Sequence, residues 1–324
     1  MPLSVPVVIR GPRLQLSSIA APDSALVAQF YAGFDRAFVL PNEKETLDGI
    51  KQCLSLNTGK EGERLAARWG NVREYVAVAE HRGSMVGGAN FIVFATEPKD
   101  NGTARRCVLV HLNYVFVLPE CRGDGFLREI VDCVSSTAAA FAASKRDGGF
   151  GALGRWLGFR AWPKPLIFIE QNDPYRLSAE DYAVDTAQAG IDQFTRIAVW
   201  ASLGALVVDF DYVQPPLSAD QDPDTNLLLA VKGHDHPSLP AALLKAHLER
   251  FFAISVLKGS DPRATPSADA QLIALDAAAR ADEQIALLPM AKNRLIAAGA
   301  ARARGAAPEH ENLRAFLRAL SAPA

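Results

Sequence analysis

One stretch constrains the fold of this chain more than any other: an apolar strand, a glycine-containing turn and a helix follow one another directly. The strand pattern covers 107–118 and is rich in Val, Leu, Tyr and Phe. Pro119 ends it, because proline has no N–H to donate to a sheet ladder. A loop follows over 120–125, and apolar residues at helical spacing begin at Phe126. Such a unit presents the unpaired N–H groups of a helix N-terminus, which form a general anion site.

The loop contains residues that suit a phosphate group. Gly123 and Gly125 let the backbone approach a ligand without an intervening Cβ, and Arg122 adds a cation. Two widespread phosphate motifs are absent, since the sequence has neither G-x-x-x-x-G-K-[ST] nor G-x-G-x-x-G after this strand. The alternative interpretation is an ordinary strand–turn–helix corner of an α/β domain.

The run R-G-D-G-F-L after V-F-V-L-P-E-C resembles the phosphate loop of the GNAT superfamily, the acyl-CoA-dependent N-acyltransferases. Arg122 and Gly125 match the first and fourth positions of the family pattern [QR]-x-x-G-x-[GA], whereas Leu127 stands where the family prefers Gly or Ala. The resemblance implies acetyl-CoA or another acyl-CoA as co-substrate. It implies the following CoA-binding residues: Phe116, Val117, Leu118, Arg122, Gly123, Asp124, Gly125, Phe126 and Leu127.

The remaining strand patterns agree with that resemblance. They cover 74–80, 85–96, 165–170, 206–212 and 226–232. The resemblance implies an α/β fold with a mixed, mostly antiparallel central sheet flanked by helices. In that fold, strand 165–170 lies parallel to strand 107–118 and splays from it, which leaves a slot for the thioester. We therefore predict a GNAT-like N-acetyltransferase domain over 1–233.

A helix is predicted from Asp185 to Leu203, with Gly204 as its C-cap. Its end, W-A-S-L-G-A, resembles the family's Y-x-x-L-G-F. Trp200 therefore stands where many members keep a tyrosine that protonates the CoA thiolate. An indole cannot supply that proton, so a different residue would have to serve as the acid.

The rest of the chain, 234–324, is predicted to be a helical C-terminal extension. It packs either on the sheet or on another subunit, and in the second case the protein would be a homodimer. The loop 144–164 either covers a ligand or packs on the domain through its two tryptophans. His234 and His236 suit an exposed polar turn better than a metal site, and no metal cofactor is expected.

Composition excludes several classes of function. The 324 residues carry a net charge of −2 and no long basic run, which argues against nucleic acid as a partner. No window is apolar enough to cross a membrane, and the N-terminus lacks the layout of a signal peptide. The four cysteines have no C-x-x-C spacing and are expected to be free thiols. We predict a cytoplasmic protein that does not bind membranes.

Three residues are candidates for acid–base chemistry. His111 is the first candidate base, because six residues separate it from Val117, and an even spacing predicts one shared strand face. Glu170, at the end of the predicted splayed strand, is the second. Tyr212 is the best placed of three substitutes for the missing thiolate acid. Each candidate also has a purely structural interpretation. His111 would be a half-buried histidine hydrogen-bonded to a neighbouring strand, Glu170 would cap a helix or form a salt bridge, and Tyr212 would pack in the core.

Two functions of different classes follow. The first is an N-acetyltransferase that moves the acyl group from acetyl-CoA or another acyl-CoA directly to a primary amine of a small molecule or protein in a ternary complex. The second is a catalytically weak module that binds acyl-CoA or serves in assembly, an alternative favoured by Trp200 and by the C-terminal extension.

Overall fold

A computed structural model describes residues 3–38, 44–144, 163–217 and 221–321. Its strands are β1 (Val7–Arg10), β2 (Gln15–Ile19), β3 (Val72–His81), β4 (Ser84–Thr96), β5 (Cys107–Val117), β6 (Leu166–Asn172), β7 (Ala205–Val208), β8 (Leu227–Lys232), β9 (Ser238–Pro240) and β10 (Gln284–Pro289). Its helices are α1 (Ala25–Ala37), α2 (Leu47–Ser55), α3 (Gly59–Trp69), α4 (Pro98–Asn101), α5 (Phe126–Ser144), α6 (Ala179–Ala189), α7 (Gln193–Ser202), α8 (Ala241–Phe251), α9 (Pro266–Arg280), α10 (Lys292–Ala303) and α11 (Leu313–Ser321). The predicted loop 144–164 lies largely outside the described residues.

The strands of the described residues form one sheet in the order β1-β2-β3-β4-β5-β6-β8-β7-β10-β9. Neighbouring strands are antiparallel throughout, except for β5 and β6, which are parallel. The predicted fold class, a mixed and mostly antiparallel sheet flanked by helices, is confirmed. The parallel pair lies at the centre of the sheet, which is where the candidate site forms.

Helices cover both faces of this sheet. On one face, a core cluster is built from the sheet, α5, α7, α10 and α11. On the other face, α1 and α2 cover one half of the sheet, and α3, α8 and α9 cover the other half. Burial of these apolar faces is what stabilises the layers, at about 25 cal/mol per Å² of apolar surface.

The single helix predicted from Asp185 to Leu203 is wrong: two helices, α6 and α7, occupy this stretch. Gly190 ends α6 with a φ of +72°, a conformation that glycine adopts without a steric penalty. Asp192 then caps α7 by accepting a hydrogen bond from the Thr195 N–H. The helical periodicity continues through the break, so the sequence pattern alone did not reveal it.

The prediction that 234–324 is purely helical is also wrong, because β9 and β10 join the sheet. β10 pairs with β7 over 287–289, and β9 pairs with β10. Helix α8 packs on the sheet face next to β4 and β6, with Leu244 and Leu248 fully buried. The division into a domain 1–233 and an extension 234–324 stays a prediction. Among the described residues, no helix is long and apolar enough to cross a bilayer.

Candidate functional site

The turn between β5 and α5 has the backbone that its two glycines predict. Gly123 has a φ of +93° and Gly125 a φ of +79°, and both values lie in the left-handed region. A Cβ at Gly123 would meet no atom within 4 Å, so the backbone conformation, rather than a lack of space, requires glycine there. Helix α5 begins directly after the turn at Phe126, and its first N–H groups have no partner within the helix. The turn is therefore a candidate anion site.

A slot opens beside the turn because β5 and β6 separate. Their parallel pairing covers 109–112 of β5 and 166–169 of β6, and β5 then continues to Val117 without β6 as a partner. The Leu118 N–H donates to the Val86 carbonyl of β4 at 2.9 Å. Since N–H groups alternate in direction along a strand, the Val117 N–H points away from β4 and toward the slot. Of the two, Val117 rather than Leu118 has its N–H on the slot side.

One cavity of about 690 Å³ includes both the turn and the slot. Residues of the turn and of β5 line it: Phe116, Val117, Arg122, Gly123, Gly125, Phe126 and Leu127. Residues of β6 and of the segments beyond it line it as well: Glu170, Gln171, Trp200, Gln214, Asp224, Phe251 and Ser255. Leu118 and Asp124, which were predicted to bind CoA, do not line this cavity. The fold thus places the predicted CoA-binding loop and Glu170 in the wall of the same cavity.

A β-bulge in β5 changes which residues share a face. Asn90 pairs with Tyr114 and Ile92 pairs with His111, so two residues of β5 stand opposite the single residue Phe91 of β4. The extra residue inverts the alternation of side chains beyond it. The prediction that His111 and Val117 share a face is therefore wrong.

His111 lies deep beneath the cavity rather than in its wall. Its side chain is fully buried, its ring stacks on Phe251 with centroids 3.4 Å apart, and its Nδ1 lies 3.0 Å from Nε2 of His247. Burial, followed by electrostatic repulsion from His111 and Arg250, lowers the pKa of His247 well below its ordinary value. The Nε2 atom of His111 is 3.6 Å from Oε2 of Glu170. His111 therefore contacts two residues of the cavity wall, Phe251 and Glu170, without lining the cavity itself.

Glu170 is the one of the three predicted catalytic residues that lines the cavity. Its carboxylate accepts hydrogen bonds from the Tyr212 hydroxyl and, at 3.2 Å, from Nε2 of Gln214. Tyr212 is 1% exposed, and burial together with the Glu170 charge raises its pKa well above the ordinary value. Tyr212 thus donates to Glu170 and does not line the cavity. The fold brings His111, Glu170 and Tyr212 into one cluster.

Trp200 lines the cavity from α7. The two other predicted substitutes for a thiolate acid lie elsewhere: Tyr175 packs against Phe194, and Tyr182 donates to Asp192. Tyr114 of β5 does line the cavity, and sequence reasoning missed it. Its position directly after the bulge could not be read from the strand pattern.

A second cluster that sequence reasoning missed surrounds Glu74 of β3. Glu74 is 1% exposed and accepts hydrogen bonds from Asn90 at 2.6 Å, Asn113 at 2.7 Å and Ser255 at 2.9 Å. Burial, partly offset by these three donors, raises the pKa of Glu74 to about 7. The sequence does contain a signal for this cluster. At the period of a strand, the charged residue Glu74 shares one face with the apolar core residues Val76 and Val78.

The charges around the cavity are arranged unevenly. Near the turn, Arg122 donates to the Ala189 carbonyl at 2.6 Å, so its guanidinium extends across from the turn to the end of α6. Arg196 is paired with Asp185. Among the described residues, no Lys or Arg forms an ion pair with Glu170.

No group of three or more metal-ligating side chains occurs in the described part of the chain. His234, which the sequence analysis considered as a metal ligand, lies 2.7 Å from the Ser238 carbonyl through its Nε2 atom.

Strands β3 to β8 follow one another in the order of the predicted strand patterns that agree with the resemblance. Antiparallel strands lead into β5, a glycine turn and α5 follow, and the next strand runs parallel to β5 and separates from it. The sheet architecture is therefore the one that the resemblance implied: mixed and mostly antiparallel, with one parallel pair at its centre. No protein-family model matches the chain, and no curated protein matches it.

Solved acetyltransferases match the chain in a structure comparison, at low sequence identity and with TM-scores below 0.5. One is an acetyltransferase from Salmonella typhimurium that modifies the N-terminal serine of a 50S ribosomal subunit protein. It is 9% identical in sequence, the match covers 71% of this chain and 100% of that chain, and the TM-score is 0.34. Another is a ribosomal-protein alanine N-acetyltransferase from Escherichia coli, 14% identical, with 67% and 92% covered and a TM-score of 0.32. Naa50 from Arabidopsis thaliana, solved with the bisubstrate analogue CoA-Ac-MVNAL, is 13% identical, with 68% and 99% covered and a TM-score of 0.33. Identities and scores this low leave the activity to be inferred from the site itself.

Proposed function

We propose that this protein is an acyl-CoA-dependent N-acyltransferase that transfers an acyl group, acetyl in the simplest case, to a primary amine of a small molecule or protein. Transfer is direct, in a ternary complex of enzyme, CoA thioester and amine. One observation carries the proposal: a single cavity is lined by the glycine turn, by the open edge of β5 and by Glu170. An extended thioester that lies along this cavity has its phosphates at the turn and its reactive carbon near a carboxylate.

The CoA half of the reaction is assigned to the turn and the strand edge. The N–H groups at the start of α5 and the Arg122 guanidinium suit the pyrophosphate. The pantetheine arm pairs with β5 as an added strand would. The Val117 N–H, directed at the slot, is then placed to stabilise negative charge on the thioester oxygen as the tetrahedral intermediate forms.

The acceptor half is assigned to the region around Glu170. A primary amine is positively charged at neutral pH, and a carboxylate without a Lys or Arg partner attracts it. Tyr212 and Gln214 fix the orientation of that carboxylate through the hydrogen bonds described above. The amine must lose a proton before its nitrogen can attack, so the site also needs a proton acceptor.

Two measurements test this function. Calorimetry with CoA reports binding, and release of free thiol from acetyl-CoA over a panel of primary amines reports transfer. Gly125→Val should lower CoA affinity by about 10²-fold, or roughly 3 kcal/mol, because a side chain at this φ distorts the turn. Gly305→Val is the matched control, since Gly305 has a φ of +84°, has open space around it and lies outside the cavity. Equal CoA affinity in the two folded variants would contradict the proposed site.

Trp200 favours a second candidate, a catalytically weak module that binds acyl-CoA. The side chain at this position of the cavity wall is an indole, which cannot return a proton to the departing thiolate. In that case calorimetry shows CoA binding, but no amine of the panel increases thiol release above the rate of spontaneous hydrolysis. The same two measurements therefore separate the two candidates.

A further inference from the structure

Glu74 is a buried carboxylate close to the cavity but outside its wall. Its three hydrogen-bond donors, Asn90, Asn113 and Ser255, all line the cavity, whereas Glu74 itself does not. Glu74 therefore lies one side chain beneath the cavity wall. A buried carboxylate without a cationic partner is costly to keep ionised, and such groups recur where proton transfer is needed.

Ser255 is the donor that could connect this carboxylate to a ligand. Its Oγ donates to Oε2 of Glu74, and its own lone pairs can accept a hydrogen bond from a group in the cavity. An amide donor such as Asn90 or Asn113 cannot pass a proton on in this way. Ser255 is carried by a π-helix, Phe252–Val256, at the end of α8, and such irregular turns within helices are frequent at functional sites.

The electrostatic surroundings of Glu74 are simple. Among the described residues, no Lys or Arg forms an ion pair with it. The titratable side chains around it are Cys53 of α2, the Glu45–Lys258 pair near Cys53, and His111 on the same sheet face. The Glu45–Lys258 pair is 2.7 Å long and largely self-neutralising, and His111 bonds His247. The protonation state of Glu74 is therefore governed by its burial and by its three donors.

We propose that Glu74 accepts the proton of the acceptor amine through the hydroxyl of Ser255. This inference rests on the proposed function, because it names the proton acceptor of the same reaction and predicts that the acceptor enters as an alkylammonium ion. Ser255 is the group that contacts the amine, and Glu74 is a positioning residue that acts through it. Glu170 then binds and orients the ammonium group.

The step balances as follows. The ammonium nitrogen gives one proton to Oγ of Ser255, and Ser255 gives its own hydroxyl proton to Oε2 of Glu74. The freed lone pair forms a bond to the thioester carbon, and the C–S bond breaks. The second proton leaving the nitrogen goes to the thiolate sulfur, so that free CoA is released. Glu74 afterwards returns its proton to solvent through Ser255.

The pKa of Glu74, raised to about 7, suits this assignment. A general base works best when its pKa is close to the operating pH. The carboxylate is ionised, and able to accept, only above that pH, so kcat/KM should rise as the pH increases through about 7. A purely structural carboxylate would leave no such limb in the pH profile.

The test compares the pH profiles of four proteins with acetyl-CoA and the best amine of the panel. Glu74→Gln keeps the shape of the cluster, because its amide can donate to a reoriented Ser255 hydroxyl. It should lower kcat/KM at pH 8 by about 10²-fold and remove the acidic limb near pH 7. Ser255→Ala should lower the rate similarly. Ser267→Ala is the matched control, since it removes a buried hydroxyl that has no hydrogen-bond partner and lies outside the cavity.

A second measurement does not depend on turnover. Infrared difference spectra of the wild type between pH 5 and pH 9 should show a protonated carboxyl band that titrates near pH 7 and is absent from Glu74→Gln. CoA affinity checks that each variant is folded. Absence of the band, or an unchanged acidic limb in a folded and active Glu74→Gln protein, overturns the relay and leaves the acyltransferase standing. If the wild type binds CoA but acylates no amine, the proposed function fails, and the relay fails with it.

Discussion

At the scale of single residues, the cavity is surrounded by carboxylates in two different environments. Glu170 lines the cavity and is held by a tyrosine and a glutamine. Glu74 is sealed beneath the wall and is held by two amides and a serine. Such a difference in environment is a common way to divide binding and proton transfer between two carboxylates.

Glu74→Gln should change how stability depends on pH. In the native protein the pKa of Glu74 is raised from the ordinary 4.5 to about 7, so the native state binds more protons than the unfolded state between these values. The free energy of unfolding of the wild type should therefore fall as pH rises from 4.5 to 7, by about 3 kcal/mol in all from this group.

Urea unfolding at pH 5 and pH 8 measures this effect. We expect Glu74→Gln to lose that pH dependence and to be more stable than the wild type at pH 8. A wild-type stability that increases over this pH range, with the same increase in the variant, would show that Glu74 is ionised at both pH values.

Glu170→Gln and His111→Gln separate direct from indirect roles. Glu170 lines the cavity, so its variant should lower kcat/KM by about 10²-fold while CoA affinity stays unchanged. His111→Gln keeps a hydrogen-bonding group beside His247 at a position that does not line the cavity, so we expect a loss of about tenfold or less. If His111 is itself the base, as the sequence predicted, the His111 variant should lose at least as much activity as the Glu170 variant.

At the scale of elements, the close approach of β4 to β5 shapes the wall of the slot. Gly87 of β4 pairs with Val117, next to the point where the slot opens. A Cβ at Gly87 would collide with the backbone carbonyl of Phe116, an atom that cannot move without displacing β5. The lack of space for a Cβ requires glycine at position 87, whereas the positive φ of the backbone requires glycine at position 125.

Gly87→Ala should therefore lower the free energy of unfolding by about 2 kcal/mol or more. Gly33→Ala is the matched control, because the Cβ added there would collide mainly with the end of the Met85 side chain, which can move aside. Urea unfolding of both variants checks the difference. A Gly87 variant that is no less stable than the Gly33 variant would mean that β4 and β5 can separate at little cost.

At the scale of the whole molecule, the C-terminal region contributes to both the core and the cavity. Phe251 and Ser255 line the cavity from α8 and the π-helix, and β10 extends the sheet beyond β7. Leu243, Leu244 and Leu248 are almost completely buried against the sheet. This region does not resemble a separable appendage, although a functional boundary near 233 stays a prediction.

We expect a fragment of residues 1–233 to be poorly soluble and not to bind CoA measurably, because its truncation exposes the apolar face that α8 covers. The full chain should unfold in one cooperative transition by calorimetry. A soluble 1–233 fragment that binds CoA with the affinity of the full chain would establish the boundary that the sequence predicted. Two separate calorimetric transitions in the full chain would support the same boundary.

The sequence by itself determined the strand–turn–helix unit, because this unit depends on signals that are local in the chain. The family resemblance that the unit carries then implied the fold class. Proline at the end of β5, two glycines with positive φ and a change from period two to helical spacing lie within about twenty residues of one another. The same stretch contains Arg122 and Gly125, which the resemblance implied as CoA-binding residues, and both line the cavity.

Only the tertiary structure decided which side chains surround the cavity and how they ionise. A single extra residue in the β5 bulge reverses the face of every later side chain, and period-two reasoning cannot detect it. The bond between Ser255 and Glu74 joins residues 181 positions apart, and the contact between His111 and His247 joins residues 136 positions apart. The pKa of a carboxyl group depends on burial and on such distant partners, and the chain acquires these only when α8 packs onto the sheet.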